Sequence, residues 1–199
     1  MKTLFQNKYR IKSIRLKNWD YSSNGAYFIT ICTNDRICYF GEIKNWKLVL
    51  SNIGKIVNEY WFKIPNHHEN IILDQFITMP NHIHGILFID RPFVETCPGM
   101  SLRKYNKFSK PISGSISMII NHFKSSVKRW CNNNHSANFQ WQPRFYERII
   151  RDDYELNRIR EYIINNPFMW SSDKNNKKYN HTSGYNNKDI NLHQSGEKK

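Results

Sequence analysis

Apolar residues fall in short blocks whose period changes along the chain. Tyr27 to Cys32 (YFITIC) is a β-branched and aromatic run bounded by Asn24-Gly25 and Asn34-Asp35, the pattern of a strand between turns. In residues 39 to 50 two short apolar stretches flank Lys44-Asn45, which predicts a small hairpin. Ile53, Ile56, Val57, Tyr60, Trp61 and Ile64 then recur at i, i+3, i+4, i+7, i+8 and i+11, the stripe of an amphipathic helix that should end before Pro65. Residues 71 to 79 and 83 to 90 are two strand-like runs separated by the turn-forming Pro80-Asn81, hence a second hairpin. A second helix is marked by Ile116, Ile119, Ile120, Phe123, Val127 and Trp130, with Lys124, Lys128 and Arg129 largely off that stripe. Phe145 to Ile150 predicts a short strand. Asp152 and Glu155 make a capping-box-like start to a third helix carrying Leu156, Ile159 and Ile163, limited by Pro167.

Two segments lack such a pattern. Residues 91 to 114 carry prolines, glycines and scattered lysines, which predicts a long loop. From Ser171 onward the chain is rich in Asn and Lys with few large aliphatic residues. It buries too little surface to offset the entropy of ordering, so a flexible basic tail over 171–199 is expected after one domain over 1–170. The order strand, helix, strand, strand, helix, strand, helix implies an α+β fold: a ferredoxin-like antiparallel sheet with helices packed on one face.

Charge narrows the partners. Against 16 Asp and Glu stand 30 Lys and Arg, a formal net charge of +14, and such a field gathers polyanions because neutralising phosphates releases their counterions. No apolar run approaches the ~20 residues of a membrane helix, and Met1 to Arg10 lacks the apolar centre of a signal peptide. A cytoplasmic, nucleoid-associated protein without membrane contact is expected. Cys32, Cys38, Cys97 and Cys131 show no tight ligand spacing, which predicts free thiols. A Walker-type loop, a GxSxG elbow and an HExxH helix are all missing.

The chemistry centres on Met79-Pro80-Asn81-His82-Ile83-His84-Gly85. Histidines two apart on a strand point to the same face, so two imidazoles converge while Ile83 points away. Such a pair suits a divalent metal and leaves positions for oxygen ligands, although one packed and one solvated histidine is an equally open reading. His67-His68 lie in a polar segment and read as surface residues. On the third helix Tyr162 and Asn166 stand four apart, one above the other. A phenol with a pKa near ~10 needs a neighbouring cation to attack a phosphodiester. A core or interface role for one of 11 tyrosines stays open too. Residues 141 to 148 mix aromatics with guanidinium groups, fit either for stacking on unpaired bases or for a structural strand with snorkelling arginines.

These motifs, taken in order, resemble a known family. Asp20-Tyr21 with Gly25-Ala26-Tyr27-Phe28-Ile29-Thr30, MPNHIHGI at 79 to 86, WQPRFYERIIRD at 141 to 152 and Tyr162-Ile163-Ile164-Asn165-Asn166-Pro167 are similar to the single-tyrosine transposases with a histidine-hydrophobic-histidine (HUH) motif, especially their REP-associated branch. The resemblance covers roughly residues 14 to 170. It implies a ferredoxin-like core in which His82, His84 and Asn166 bind Mg²⁺ or Mn²⁺. Tyr162 would attack a DNA strand to leave a 5′-phosphotyrosine link and a free 3′-hydroxyl, and a second 3′-hydroxyl would resolve that link. The implied substrate is single-stranded DNA flanked by a hairpin, met by Lys124, Lys128, Arg129, Arg144 and Arg148, with the protein a monomer or a homodimer. Two rivals remain. A non-catalytic single-strand nucleic-acid-binding module would bind without metal dependence. A metal-dependent phosphodiesterase or RNase would use water in place of Tyr162.

Overall fold

The computed structural model describes residues 19–92 and 113–176. Residues 93–112 of the expected loop, Cys97 among them, and residues 177–199 of the expected tail lie outside the described residues. In chain order the elements are β1 (Gly25–Cys32), β2 (Gly41–Lys44), β3 (Lys47–Leu50), α1 (Asn52–Phe62), α2 (Ile64–His67), β4 (Ile71–Thr78), β5 (His82–Ile89), α3 (Ile116–Asn133), β6 (Tyr146–Ile150) and α4 (Asp153–Asn165). The main sheet runs β4-β5-β1-β6 with every neighbouring pair antiparallel, and β2-β3 form a separate hairpin. This is the ferredoxin-like strand order: the first β–α–β connection leads to the far edge, and the last strand returns beside the first.

Period-2 alternation on the two central strands decides what each face holds. Tyr27, Ile29 and Ile31 of β1 and Ile83, Leu87 and Ile89 of β5 pack with α1 and α3, through Val57, Trp61, Ile116, Ile119, Ile120, Phe123 and Val127. Ala26 and Phe28, with Ile86, turn to the other face and pack with Ile150 and with Leu156 and Ile163 of α4. The two crossover helices therefore share one face as expected, while α4 covers the opposite one. His82 and His84 lie in register with Cys32 and Thr30 on that second face, which brings them under α4.

Local signals fix the helix starts. Ser51, Ser115 and Asp152 accept hydrogen bonds from the amides of Gly54, Met118 and Glu155, caps worth about 1 kcal/mol each. Glu155 in turn accepts from the Arg151 amide at 3.0 Å, one residue earlier than in a standard capping box. Pro65 does not simply stop α1: it starts the short α2, because a missing N–H costs nothing in a first helical turn. On β4 the register slips between Leu73 and Phe76. That bulge turns Asp74 toward α4, where Arg160 grips it through Nε at 2.9 Å and Nη2 at 2.5 Å. A bidentate pair of this kind fixes the helix in orientation as well as position.

The sequence expectation of a tail from Ser171 meets a different arrangement up to Asn176. A 3₁₀ turn spans Trp170–Ser172, and Asp173, Asn175 and Asn176 are buried. Polar residues order here without aliphatic burial because their hydrogen bonds are internal: Asn175 N–H donates to Asp173 Oδ1 at 2.6 Å, and the Asn175 carbonyl accepts from Asn81 Nδ2 at 2.7 Å.

Gly85 shows how tightly the first face is filled. Trp61 stacks on Phe76 with centroids 4.6 Å apart and meets Phe123 edge-on at 5.4 Å. A β-carbon on Gly85 would stand 2.2 Å from the Trp61 ring. Gly85→Ala should therefore destabilise the protein by about 1–3 kcal/mol, the usual range for overpacking. Urea denaturation measures this, and an unchanged midpoint would show that Trp61 yields freely.

Candidate active site

At the bottom of the second face the two motif histidines are almost completely buried, His82 at 0% and His84 at 2% exposure. Their Nε2 atoms face each other at 3.1 Å. Ligand atoms each about 2.1 Å from a shared cation lie roughly 3.0–3.4 Å apart at octahedral to tetrahedral angles, so this spacing fits a chelating pair. Asp173 Oδ2 stands 3.8 Å from His82 Nε2, and ligand atoms of His82, His84 and Asp173 all lie within 4.8 Å of one another. The three form a group able to hold a metal ion. Sequence reasoning missed Asp173, which lay in what read as tail; the available signal was a lone carboxylate three residues after Trp170.

The surrounding hydrogen bonds orient the rings. Asn81, fully buried, donates from Nδ2 to the carbonyls of Arg36 at 3.0 Å and Asn175 at 2.7 Å. Its Oδ1 is thereby left to accept from His82 Nδ1 at 2.9 Å. That contact puts the proton on Nδ1 and leaves Nε2 of His82 as a bare donor atom. Thr30 Oγ1 holds His84 Nδ1 at 2.8 Å, and Phe28 stacks on the His84 ring with centroids 5.3 Å apart. The MPNHIHG motif thus contains its own orienting residue immediately before the first histidine.

Asn166 sits at the C-cap of α4 and is 2% exposed. Its amide lies against His82, Tyr162 and Asp173, yet its Oδ1 is buried without a hydrogen-bond partner. A buried orphan acceptor costs about 1–3 kcal/mol. Beside two neutral imidazoles and a carboxylate, it completes a mixed nitrogen and oxygen donor set that fits a divalent cation. Tyr162 Oη stands 3.3 Å from His84 Nε2, with the ring edge-on to Phe28. Tyr162 is 43% exposed, so its ring flanks an open cleft of about 290 Å³ lined by Arg158, Glu161, Tyr162, Asn165, Asn166 and Met169.

Burial dominates the electrostatics. It pushes His84 down to about 3, assisted by Lys174 and Arg36. His82 is held well below its usual value by burial, then by His84, Arg36 and Lys174. Both rings are therefore neutral, as ligation requires. Burial, then Asp173, pushes the Tyr162 phenol up to about 12, so on its own it is a poor nucleophile at neutral pH.

The expected nucleic-acid contacts fare differently from one another. Lys124 Nζ donates to the carbonyls of Gln142 and Arg144 at 2.9 and 3.0 Å, and burial lowers its pKa. Lys128 Nζ donates to Ala137 and Phe139 carbonyls at 2.8 and 2.6 Å. These two ammonium groups pin the segment before β6 onto α3. Arg148 pairs with Glu155, whereas Arg129 and Arg144 are exposed. Trp141 packs with Phe40, Phe123 and Phe139 and donates Nε1–H to the Lys124 carbonyl at 3.1 Å, a core role rather than a base-stacking one. His68 is half-buried against His122, with ring centroids 5.4 Å apart. Cys32 and Cys131 are buried free thiols. No helix among the described residues is long and apolar enough to cross a membrane.

A Haemophilus influenzae protein described as "Uncharacterized protein" is 39% identical to this chain over 164 residues, covering 82% of this chain and 91% of that protein. The chain belongs to the family of that protein. No family model matches the sequence. Among solved structures, the fold is similar to that of a REP-associated tyrosine transposase bound to a REP hairpin, with a TM-score of 0.52 and 18% identity over 84% of this chain and 76% of that one. At that identity the likeness establishes a transposase-like fold.

The lowered histidine pKa values predict an acid limb. In metal-free protein, the unfolded chain binds protons below its ordinary histidine value of 6.5 that the folded chain refuses down to about 3. Stability should therefore fall as pH drops through that window. Urea midpoints between pH 7 and pH 4.5 measure it, and His84→Gln should flatten the slope; an equal slope in wild type and variant would contradict the assignment.

Proposed function

We propose that this chain cuts and rejoins single-stranded DNA, with Tyr162 as nucleophile at a divalent-metal site made by His82, His84, Asp173 and Asn166. The observation that carries this reading is the 3.3 Å approach of Tyr162 Oη to His84 Nε2, which puts a half-exposed phenol at the mouth of an otherwise buried donor cluster. Mg²⁺ or Mn²⁺ bound there supplies Lewis acidity toward a phosphate oxygen and favours the phenolate over the phenol.

The residues of this chain then divide the work. Tyr162 Oη forms the bond to phosphorus as the bond from phosphorus to the 3′-oxygen breaks. The phenol's proton is matched by the one the departing 3′-oxygen takes up. Reversal by another 3′-hydroxyl restores the phosphodiester and the phenol, so one bond of nearly equal energy replaces another and no nucleotide loop is needed. Phe28, packed against both His84 and Tyr162, keeps the phenol over the cluster. The clamp between Arg160 and Asp74 holds the helix that presents it. A folded single strand is the favoured substrate because the REP-associated transposase of like fold was bound to a REP hairpin. The charge of +14 suits any such polyanion.

Incubation with Mn²⁺ and hairpin DNA carrying a single-stranded 5′ flank should give a denaturation-resistant adduct of protein and DNA. Tyr162→Phe and a chelator should each abolish it, and Asp173→Asn should slow its formation by about tenfold or more, since even residues that only support a metal ligand cost about 10–100-fold when lost. Metal-dependent cutting that leaves no adduct and survives Tyr162→Phe would replace the tyrosine by water. Binding without cutting would reduce the chain to a single-strand-binding module.

A further inference from the structure

Beside the histidine cluster lies a cation that the reading above does not use. Arg36 closes a short 3₁₀ turn, Asn34–Arg36, in which Asp35 and Arg36 both take left-handed backbone angles, φ 51° and 55°. Two successive non-glycine residues in that region cost of order 1–3 kcal/mol each and persist only where surrounding contacts impose them. Those contacts are present. The Thr33 hydroxyl lies 2.8 Å from the Ile37 carbonyl and 3.0 Å from the Asn81 carbonyl, with its one proton shared between them, and Asn81 Nδ2 donates to the Arg36 carbonyl at 3.0 Å. The turn is thus bolted to the same asparagine that orients His82.

The turn aims the guanidinium inward. Arg36 Nη1 meets Sγ of Cys32, and Cys32 is the cross-strand partner of His82 on β5. The guanidinium therefore borders the cluster across one strand spacing. Among the described residues Arg36 makes no ion pair with a carboxylate. Its charge is felt by His82, His84, Cys32 and Asp173 alike. Lys174, next to Asp173, acts on the same groups. One carboxylate facing two side-chain cations leaves the site net positive before any divalent ion would be counted. A half-buried guanidinium in that setting calls for an anion from outside, and its planar fork matches two phosphate oxygens.

We propose that Arg36 binds the phosphodiester that Tyr162 attacks, as the side-chain cation that completes the phosphate site beside His82 and His84; this rests on reading those residues as a phosphodiester-exchange site. Its duty is to hold two non-bridging oxygens and to share the charge that gathers on them as the phosphorus is attacked.

The test uses the full chain loaded with Mn²⁺ and the dinucleotide TpT, whose one phosphodiester is either natural or an uncharged methylphosphonate, with binding followed by calorimetry. Arg36→Gln should weaken TpT binding by about tenfold or more, the scale of a charged hydrogen-bond pair. It should not weaken Mn²⁺ binding, since Arg36 is not a ligand and its positive charge opposes a bound cation. The methylphosphonate should bind wild type and variant equally. Arg36→Lys, which keeps the charge and loses the fork, should fall between them; it carries the test if Arg36→Gln melts early. The proposal is overturned if wild type fails to bind TpT, if Arg36→Gln binds it as wild type does, or if the variant loses affinity equally for both linkages. Should the tyrosine reading alone be at fault, Arg36-dependent TpT binding would persist in a protein that never forms a DNA adduct.

Discussion

Two imidazole nitrogens held 3.1 Å apart, out of reach of water, are the constraint around which the second face of the sheet is arranged. Such a pair cannot be doubly protonated, and each ring needs its far nitrogen fixed if the near ones are to converge. The antiparallel register of β1 and β5 meets that need for His84 by setting Thr30 opposite it. Asn81 meets it for His82, and because its amide also holds the carbonyls of Arg36 and Asn175, one buried side chain ties together the strand, the turn after β1 and the chain beyond α4. A defect at Asn81 would loosen a ligand, a cation and the approach of Asp173 at once.

The two faces divide the labour. The face under α1 and α3 is apolar and closely packed, down to a glycine that makes room for an indole. The face under α4 has a smaller apolar cluster and a polar floor. Burial there has two opposed effects. It keeps both histidines neutral and able to ligate, and it makes the Tyr162 phenol harder to ionise. Neutral imidazoles beside an un-ionised phenol suit the ligation of a cation, which is the chemistry the proposed reading requires.

Most of the fold was legible because periodicity reports burial directly. The strands around Tyr27 to Cys32 and on either side of Pro80-Asn81, and the stripes of the three long helices, lie where the pattern puts them. Which face of the sheet a helix covers is set by strand order and crossovers, which local periodicity does not carry, so α4 on the far side was not legible. The site was readable where residues share one element: His82 with His84, and Tyr162 with Asn166. It was unreadable where elements meet through hydrogen bonds, as with Asp173, drawn in by a polar segment that resembles tail, and Arg36, aimed by a strained turn. Lys124 and Lys128 show the reverse error of emphasis, since basic residues beside an apolar stripe read as phosphate contacts while their ammonium groups hold backbone carbonyls.

On the proposed reading, side chains from β5, the end of α4 and the following turn make one metal site next to Tyr162. Anomalous diffraction from crystals grown with Mn²⁺ tests it most directly. A single strong peak is expected within bonding distance of His82 Nε2, His84 Nε2, an Asp173 oxygen and Asn166 Oδ1, lost in His84→Gln. A peak elsewhere on the protein, or none at this cluster under saturating Mn²⁺, would contradict it.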